Sequence, residues 1–399
     1  MRSEIIAGLD VGTHSIKMAV LQQREEGGDP EILGFGEEIS SGVRKGAVVK
    51  IEEVTKKIQT LKDRLSAICG QKIREVIVSV GGSHIFCVPS HGIVAVSRAD
   101  GQISSEDVDR VLQAAQAFSL PSNKDILDVF PQQFVVDEEE QVKEVVGMKG
   151  VRLEADVLAV CGFTPYIRNL HEAVLGADLD IRATVPTSLM SSPAVLTPQQ
   201  KEVGVATLDL GAGTTGLAVY EQGDLIHTAV FPVGSENITN DIAIGLRCEP
   251  DIAERIKVEF GSSQRGKKGE RVEIAEGKFL AVSQKLLRRI IEARVKEIFQ
   301  LVNKELKQIS RQGVLPGGVV LVGGGAKLPK IVEEAKRELK VTVRLGKPQG
   351  VVSLQSDPAF LGVIGLLVGA AADGHHEGGI HMGTSLMQNV RRMLRPFIP

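Results

Sequence analysis

Three glycine-punctuated turns carry the residue types that grip a polyphosphate. The first reads Ile6-Ala-Gly-Leu-Asp10-Val-Gly12-Thr13-His-Ser15-Ile-Lys17, the second Ala206-Thr-Leu-Asp209-Leu-Gly211-Ala-Gly213-Thr214-Thr215-Gly216. The third reads Val319-Val-Leu-Val-Gly323-Gly324-Gly325-Ala326-Lys327. Glycine lets a backbone approach an anion closely, and turn N–H groups and hydroxyls can donate to its oxygens. Lys17 adds a point charge. Asp10 and Asp209 would meet across a cleft and position Mg²⁺ on the phosphates through water. A single Asp-x-Gly turn serves equally well as an ordinary turn. Two copies and a triple glycine, in this order, imply two related domains with ATP between them.

Each turn follows an apolar run that reads as a buried strand. The first two lead into a second run, Ile16 to Val20 and Leu217 to Tyr220, so both are strand–turn–strand hairpins. This arrangement resembles the actin, sugar kinase and Hsp70 superfamily, whose corresponding parts are called phosphate 1, phosphate 2 and the adenosine motif. The resemblance implies an α/β fold of actin-like (ribonuclease H-like) type, two domains with a nucleotide cleft. Gly12, Thr13, Ser15 and Lys17 would then hold the terminal phosphates from one side, and Gly211, Gly213, Thr214 and Thr215 from the other. Gly323, Gly324, Gly325 and Lys327 would hold the nucleoside end. Glu254 and Lys257 lie three apart in a helical stretch and share a face. Such a pair is commonly a surface ion pair, but the resemblance places it on the ribose and adenine.

Bulk properties narrow the class. With 399 residues the chain can build two or three sizeable cores, and a formal charge of -3 predicts no general affinity for nucleic acid. The cysteines Cys69, Cys87, Cys161 and Cys248 have no metal-ligand spacing and read as reduced packing residues. No signal peptide opens the chain. The most apolar window, Ala359 to Ala372, is short for a membrane span and carries three glycines, so it reads as a buried helix.

An amphipathic helix is expected over Ile51 to Cys69 and a buried strand over Glu75 to Val80, with the chain returning to the first domain at an apolar strand, Glu154 to Phe163. A compact insert between them is expected to hold strands around Ile85 to Val96 and a helix from Ser104 or Ser105 to Phe118. Its run Leu127-Asp-Val-Phe-Pro131-Gln132-Gln-Phe, followed by Val146-Gly147-Met-Lys-Gly150-Val-Arg152, closely resembles the FtsA family of bacterial cell-division proteins. In that family a small α+β subdomain called 1C stands at this point. The implied divisions are 1–83, 163–201 and 354–372 for subdomain 1A, and 84–162 for 1C. Residues 202–247 and 316–353 would form 2A, and 248–315 would form 2B. A flexible linker, 373–384, and a terminal helix, 385–399, complete the chain. A basic loop, Gly261 to Arg271, is read as solvated, and a charged helix is expected over Ile290 to Leu306.

The tail is amphipathic. Leu386, Met387, Val390, Met393 and Leu394 recur at helical spacing, opposite Arg391, Arg392 and Arg395, with Phe397 beyond. That pattern suits an anionic membrane surface, and the resemblance agrees, since family members end in a membrane-targeting helix. It further implies self-association into filaments, binding of the FtsZ C-terminal peptide at 2B, and contacts of 1C with later division proteins. The site of action would be the cytoplasmic face of the inner membrane at the division site. A pilus-assembly or other scaffold protein is the alternative, followed by a small-molecule kinase and an Hsp70-type chaperone. Sugar kinases supply an Asp base before phosphate 2, and actin supplies a glutamine that helps place water. The segment Arg182 to Leu196 contains neither, nor any Glu, so at most slow ATP hydrolysis is expected.

Overall fold

The computed structural model describes residues 5–22, 31–138, 141–260, 271–275, 278–281, 283–349 and 357–373. The expected basic loop (except Arg271), the linker after Asp373 and the terminal helix, including all its proposed membrane-facing residues, lie outside the described residues.

Strands β1 (Ile5–Val11), β2 (Ser15–Gln22) and β3 (Glu31–Ile39) form an antiparallel meander, followed by a small hairpin of β4 (Val43–Arg44) and β5 (Ala47–Val48). Helix α1 (Ile51–Cys69) buries Val54, Ile58, Leu61 and Leu65, which recur every three or four residues, and stops at Gly70 in the left-handed region. Its chain continues into β6 (Glu75–Val80), which lies parallel to β1.

The insert holds β7 (Phe86–Ala95), α2 (Ser105–Ala115), β8 (Lys124–Val136), β9 (Gln141–Val142) and β10 (Arg152–Phe163), with sheet order β7-β10-β8-β9. Ser104 caps α2 in a reciprocal pair with Asp107: the serine hydroxyl accepts from the Asp107 N–H, and the carboxylate accepts from the Ser104 N–H. Here one expectation is corrected. The apolar run Glu154 to Phe163 does not return to the first domain's sheet but forms the centre of the insert, paired on both sides. Its first half alternates, with Glu154 and Asp156 among apolar residues, and its second half from Val157 is apolar throughout, the two halves facing different cores. Leu153, Ala155 and Val157 pack with α2, whereas Leu158 and Val160 join the core of the main body.

After α3 (Thr164–Leu175), strand β11 (Asp180–Pro186) completes the first domain's sheet in the order β11-β6-β1-β2-β3. Short helices α4 (Thr187–Met190), α5 (Ser192–Val195) and α6 (Pro198–Val203) cross to the second domain. That domain contains β12 (Val205–Leu210), β13 (Thr215–Glu221), β14 (Asp224–Phe231), α7 (Ser235–Leu246), α8 (Pro250–Phe260), β15 (Arg271–Ala275) and β16 (Lys278–Ala281). It continues through α9 (Gln284–Gln308), β17 (Val319–Val322), α10 (Ile331–Leu339) and β18 (Val343–Leu345), and its sheet order is β14-β13-β12-β17-β18. Helix α9 extends beyond the expected Ile290 to Leu306 at both ends, started by a Ser283 cap.

Helix α11 (Leu361–Asp373) returns to the first domain and packs over Gly8 of β1. It begins two residues later than the apolar window, because Pro358–Phe360 form a 3₁₀ turn capped by Asp357. Its glycines allow close contact: a Cβ on Gly365 would stand 1.9 Å from the Met190 carbonyl oxygen. Among the described residues no helix is long and apolar enough to cross a membrane.

Candidate nucleotide site

The first two turns are built on near-identical hairpins. In the first, Asp10 pairs with Lys17 across β1 and β2, and the Gly12 N–H donates to the Ser15 carbonyl at 3.2 Å. In the second, Asp209 pairs with Gly216 across β12 and β13, and the Gly211 N–H donates to the Thr214 carbonyl at 3.0 Å. A side chain on either glycine would crowd that carbonyl, at 2.8 Å and 2.9 Å respectively. Each hairpin also has a parallel neighbour, β6 beside β1 and β17 beside β12. Both aspartates therefore stand at the ends of central strands, where side chains project into the cleft between the domains.

The neighbours differ in what they offer the aspartates. Beside Asp10, β6 supplies Ser79, whose hydroxyl donates to the carboxylate at 2.7 Å. Beside Asp209, β17 is followed by Gly323, with φ +83°, so tightly placed that a Cβ would lie 2.2 Å from Asp209 Oδ1. No donor reaches Asp209 among the described residues. Burial and the nearby Asp10 charge push its carboxyl up to about 7, against a smaller opposing pull from Lys17. Two carboxylates thus converge on one region, and one of them resists carrying its charge alone. Among the described residues no group of three His, Cys, Asp or Glu could hold a metal by itself. That donor set fits a hydrated Mg²⁺, which uses one or two carboxylates and completes its shell with water and phosphate oxygens.

The turns meet across the cleft. A Cβ on Gly213 would touch Thr13 Oγ1 at 2.6 Å and the Lys45 Cα at 3.0 Å, while Thr13 Oγ1 accepts from the Gly46 N–H at 2.9 Å. The β4–β5 hairpin, with Lys45 and Gly46 both at positive φ, therefore packs against the first two turns where they meet. Sequence reasoning missed it. The usable signal was the glycine pair Gly42 and Gly46 around Val43-Arg44-Lys45, which marks a tight hairpin. Ser79 was missed as well, although a serine closing an apolar strand just before Gly81 and Gly82 is a visible irregularity.

Not every expected phosphate ligand points outward. Thr215 is fully buried and donates to the Val233 carbonyl at 2.8 Å, and Ser15 is buried too. Gly12, Thr13, Lys17, Gly211 and Thr214 all keep surface toward solvent. The N-terminal amides of α7, from Ser235 and Glu236, bond the carbonyls of Gly211 and Ala212, which pins the second turn to that helix.

On the second domain, Lys257 is buried and donates to Glu254 at 2.7 Å, to Thr239 at 2.8 Å and to the Ser235 carbonyl at 3.2 Å. Burial works against the Glu254 charge, but the hydrogen bonds from Lys257 and Thr239 outweigh it and hold the carboxyl below its usual range. Thr239, one helix before the pair, was not anticipated. Gly324 faces open space, and a narrow apolar crevice under Gly325 is lined by Ile238, Phe299 and Leu328. Lys327 reaches Asp357 at 2.9 Å, and the Gly323 N–H donates to the Pro358 carbonyl, so the third turn is tied to the start of α11. The crossing segment places Thr187 against Gly81 and Ser188 against Gly216.

Residues 206–365 match the family profile described as cell division protein FtsA, and residues 82–161 match the SHS2 domain inserted in FtsA. The cell division protein FtsA of Pseudomonas aeruginosa is 34% identical over 373 residues, covering 92% of this chain and 89% of its own. That of Bacillus subtilis is 34% identical over 397 residues, covering 97% and 89%. Among solved structures, the PilM–PilN type IV pilus biogenesis complex superimposes with a TM-score of 0.67 at 17% identity, over 93% of this chain and 98% of that one. MreB5 of Spiroplasma citri bound to ADP gives 0.54 at 14% identity, over 91% and 95%. The structural likenesses establish the actin-like fold, while the identity and coverage of the sequence relatives establish more: this chain belongs to the FtsA family of cell division proteins.

Proposed function

We propose that this protein binds Mg-ATP in the cleft and uses the nucleotide to set a closed shape that assembles into filaments on a membrane. The filaments would anchor the FtsZ ring there. One observation carries the reading: the two Asp-x-Gly turns, from separate domains, meet where Gly213 packs on Thr13 and Lys45, and there the Asp10 charge works with burial against ionisation of Asp209. Such a pair is unfavourable until a cation is supplied between the domains. Bound Mg²⁺ would neutralise both carboxylates and the phosphates together.

The chain's own residues have distinct tasks in this reading. Gly12, Thr13, Gly211, Gly213 and Thr214 hold phosphate oxygens, with Lys17 as a nearby cation. Lys257 and Glu254 position the nucleoside against Gly324. Lys45 and Gly46 shield the phosphate end from water. With no Asp, Glu or Gln from Arg182 to Leu196, nothing there activates an attacking water, so turnover is slow. The amphipathic tail, residues 385–399, supplies the membrane contact, and each arginine near an anionic leaflet adds about 1 kcal/mol. One tail binds reversibly, and a filament of tails binds tightly through effective concentration. Subdomain 2B would take the FtsZ C-terminal peptide, and the insert would meet later division proteins.

The test is sedimentation with anionic liposomes, with and without Mg-ATP, comparing the full chain with one ending at Gly383. The full chain should pellet, more so with Mg-ATP, and the shortened chain should not. Equal pelleting of both would remove the tail from the membrane contact. In parallel, Asp209→Asn should bind the nucleotide far more weakly than the parent, and unchanged affinity would refute the cleft assignment.

A further inference from the structure

Where the inserted sheet meets the second domain, three side chains from three elements stand in line. Cys87 on β7 places its sulfur 3.5 Å from Nδ1 of His227 on β14, and His227 Nε2 lies 2.8 Å from Oε1 of Glu305 on α9. A carboxylate can only accept, so Glu305 fixes the tautomer that carries hydrogen on Nε2. The Nδ1 lone pair then faces the thiol. Nucleophile, base and orienting acid in this order is the arrangement that activates a cysteine.

Surrounding groups favour the same state. Burial opposes charge on His227, but the thiol and Glu305 outweigh it and raise its pKa above the ordinary histidine value. The Cys87 sulfur has a second neighbour, the Thr228 carbonyl at 3.3 Å, which can hold the thiol when it keeps its proton. Cys161, by contrast, is fully buried, and burial pushes its thiol up to about 11. Sequence alone gave all four cysteines the same packing role.

We propose that Cys87 is a reactive thiol, modified by small hydroperoxides, with His227 as proton acceptor and Glu305 as the residue that positions it. The thiol proton passes to His227 Nδ1. The sulfur then bonds to the terminal oxygen of the hydroperoxide as the O–O bond breaks. The departing alkoxide takes the proton from His227 and leaves as the alcohol. Sulfur gives up two electrons and becomes a sulfenic acid, while the peroxide is reduced. Cys87 is only partly exposed, so the site admits small oxidants.

Timed labelling of the full chain with iodoacetamide at neutral pH, read by peptide mass mapping, tests this. Cys69 and Cys248, also partly exposed, are references within the same molecule. Cys87 should react about tenfold faster than either, with His227 taking the thiol proton as the sulfur attacks. His227→Gln should remove that advantage and leave the reference rates alone, and Glu305→Gln should remove part of it. Stoichiometric tert-butyl hydroperoxide followed by dimedone should place the adduct on Cys87. Rapid labelling of Cys161 would mark an unfolded variant, in which case Glu305→Gln decides. Cys87 labelling no faster than the references, or a rate indifferent to the folded variants, overturns the proposal, as does absence of the dimedone adduct from Cys87.

Discussion

Ser79 donates to Asp10, whereas among the described residues no donor reaches Asp209, and the Gly323 backbone packs against it. A hydroxyl donor stabilises a carboxylate, and a bare glycine backbone does not. Asp209 therefore keeps its proton in the folded, nucleotide-free protein up to about pH 7, while the unfolded chain releases it near 3.8. Because the folded state holds more protons between those values, stability from this group falls as pH rises through the window, and the full penalty applies above it. A carboxyl moved that far is worth roughly 4 kcal/mol at most, and water reaching the cleft reduces it. Asp209→Asn should accordingly stabilise the nucleotide-free protein by about 1–3 kcal/mol at pH 8. The gain should shrink toward pH 4 in thermal unfolding runs. Gly323→Ala should act in the opposite sense, since it forces a side chain into positive φ and onto Asp209 Oδ1. We expect a loss of more than about 2 kcal/mol in denaturant titrations, together with weakened nucleotide binding.

Elements impose their own tests. Replacing an interior helix glycine by alanine normally gains up to about 1 kcal/mol. Gly365 and Gly369 both lie in α11, but a Cβ on the first would collide with the Met190 carbonyl at 1.9 Å, while the second would meet only Pro193 at 3.4 Å. Gly365→Ala should destabilise by roughly 2–4 kcal/mol and Gly369→Ala should be neutral or mildly favourable, as equilibrium unfolding will report. Much of this level was legible beforehand. Helix α1 and strand β6 fall where periodicity puts them, because one buries a stripe and the other both faces. β3 escaped notice because Glu31–Ile39 is half-exposed along its length and carries two glycines. β10 was assigned to the wrong sheet, since an apolar run reports burial but not which partners provide it. In the site, the Asp-x-Gly turns could be read because they are contiguous. For Ser79 and Lys45 the sequence offers a local irregularity but not the partner, and for Thr239 neither, because only the fold brings them to their partners.

Across the whole molecule, the insert is covalently part of the first domain yet bonded to the second along β14. Cys87 meets Thr228, Gln132 donates to the Leu225 carbonyl at 2.9 Å, and Lys143 pairs with Asp224 at 2.8 Å. The Lys143–Asp224 pair is largely exposed, so Lys143→Ala should cost less than about 1 kcal/mol. It should nevertheless quicken hydrogen exchange around the β13–β14 turn, where its loss frees one end of the contact row. Ser188 joins the same row from the crossing segment, 2.7 Å from the Thr228 hydroxyl. These attachments follow a single strand and so lie close to one line. The insert's polar contacts with the second domain are thereby gathered on β14 and the turn that leads into it, so a change in that one strand reaches all of them at once.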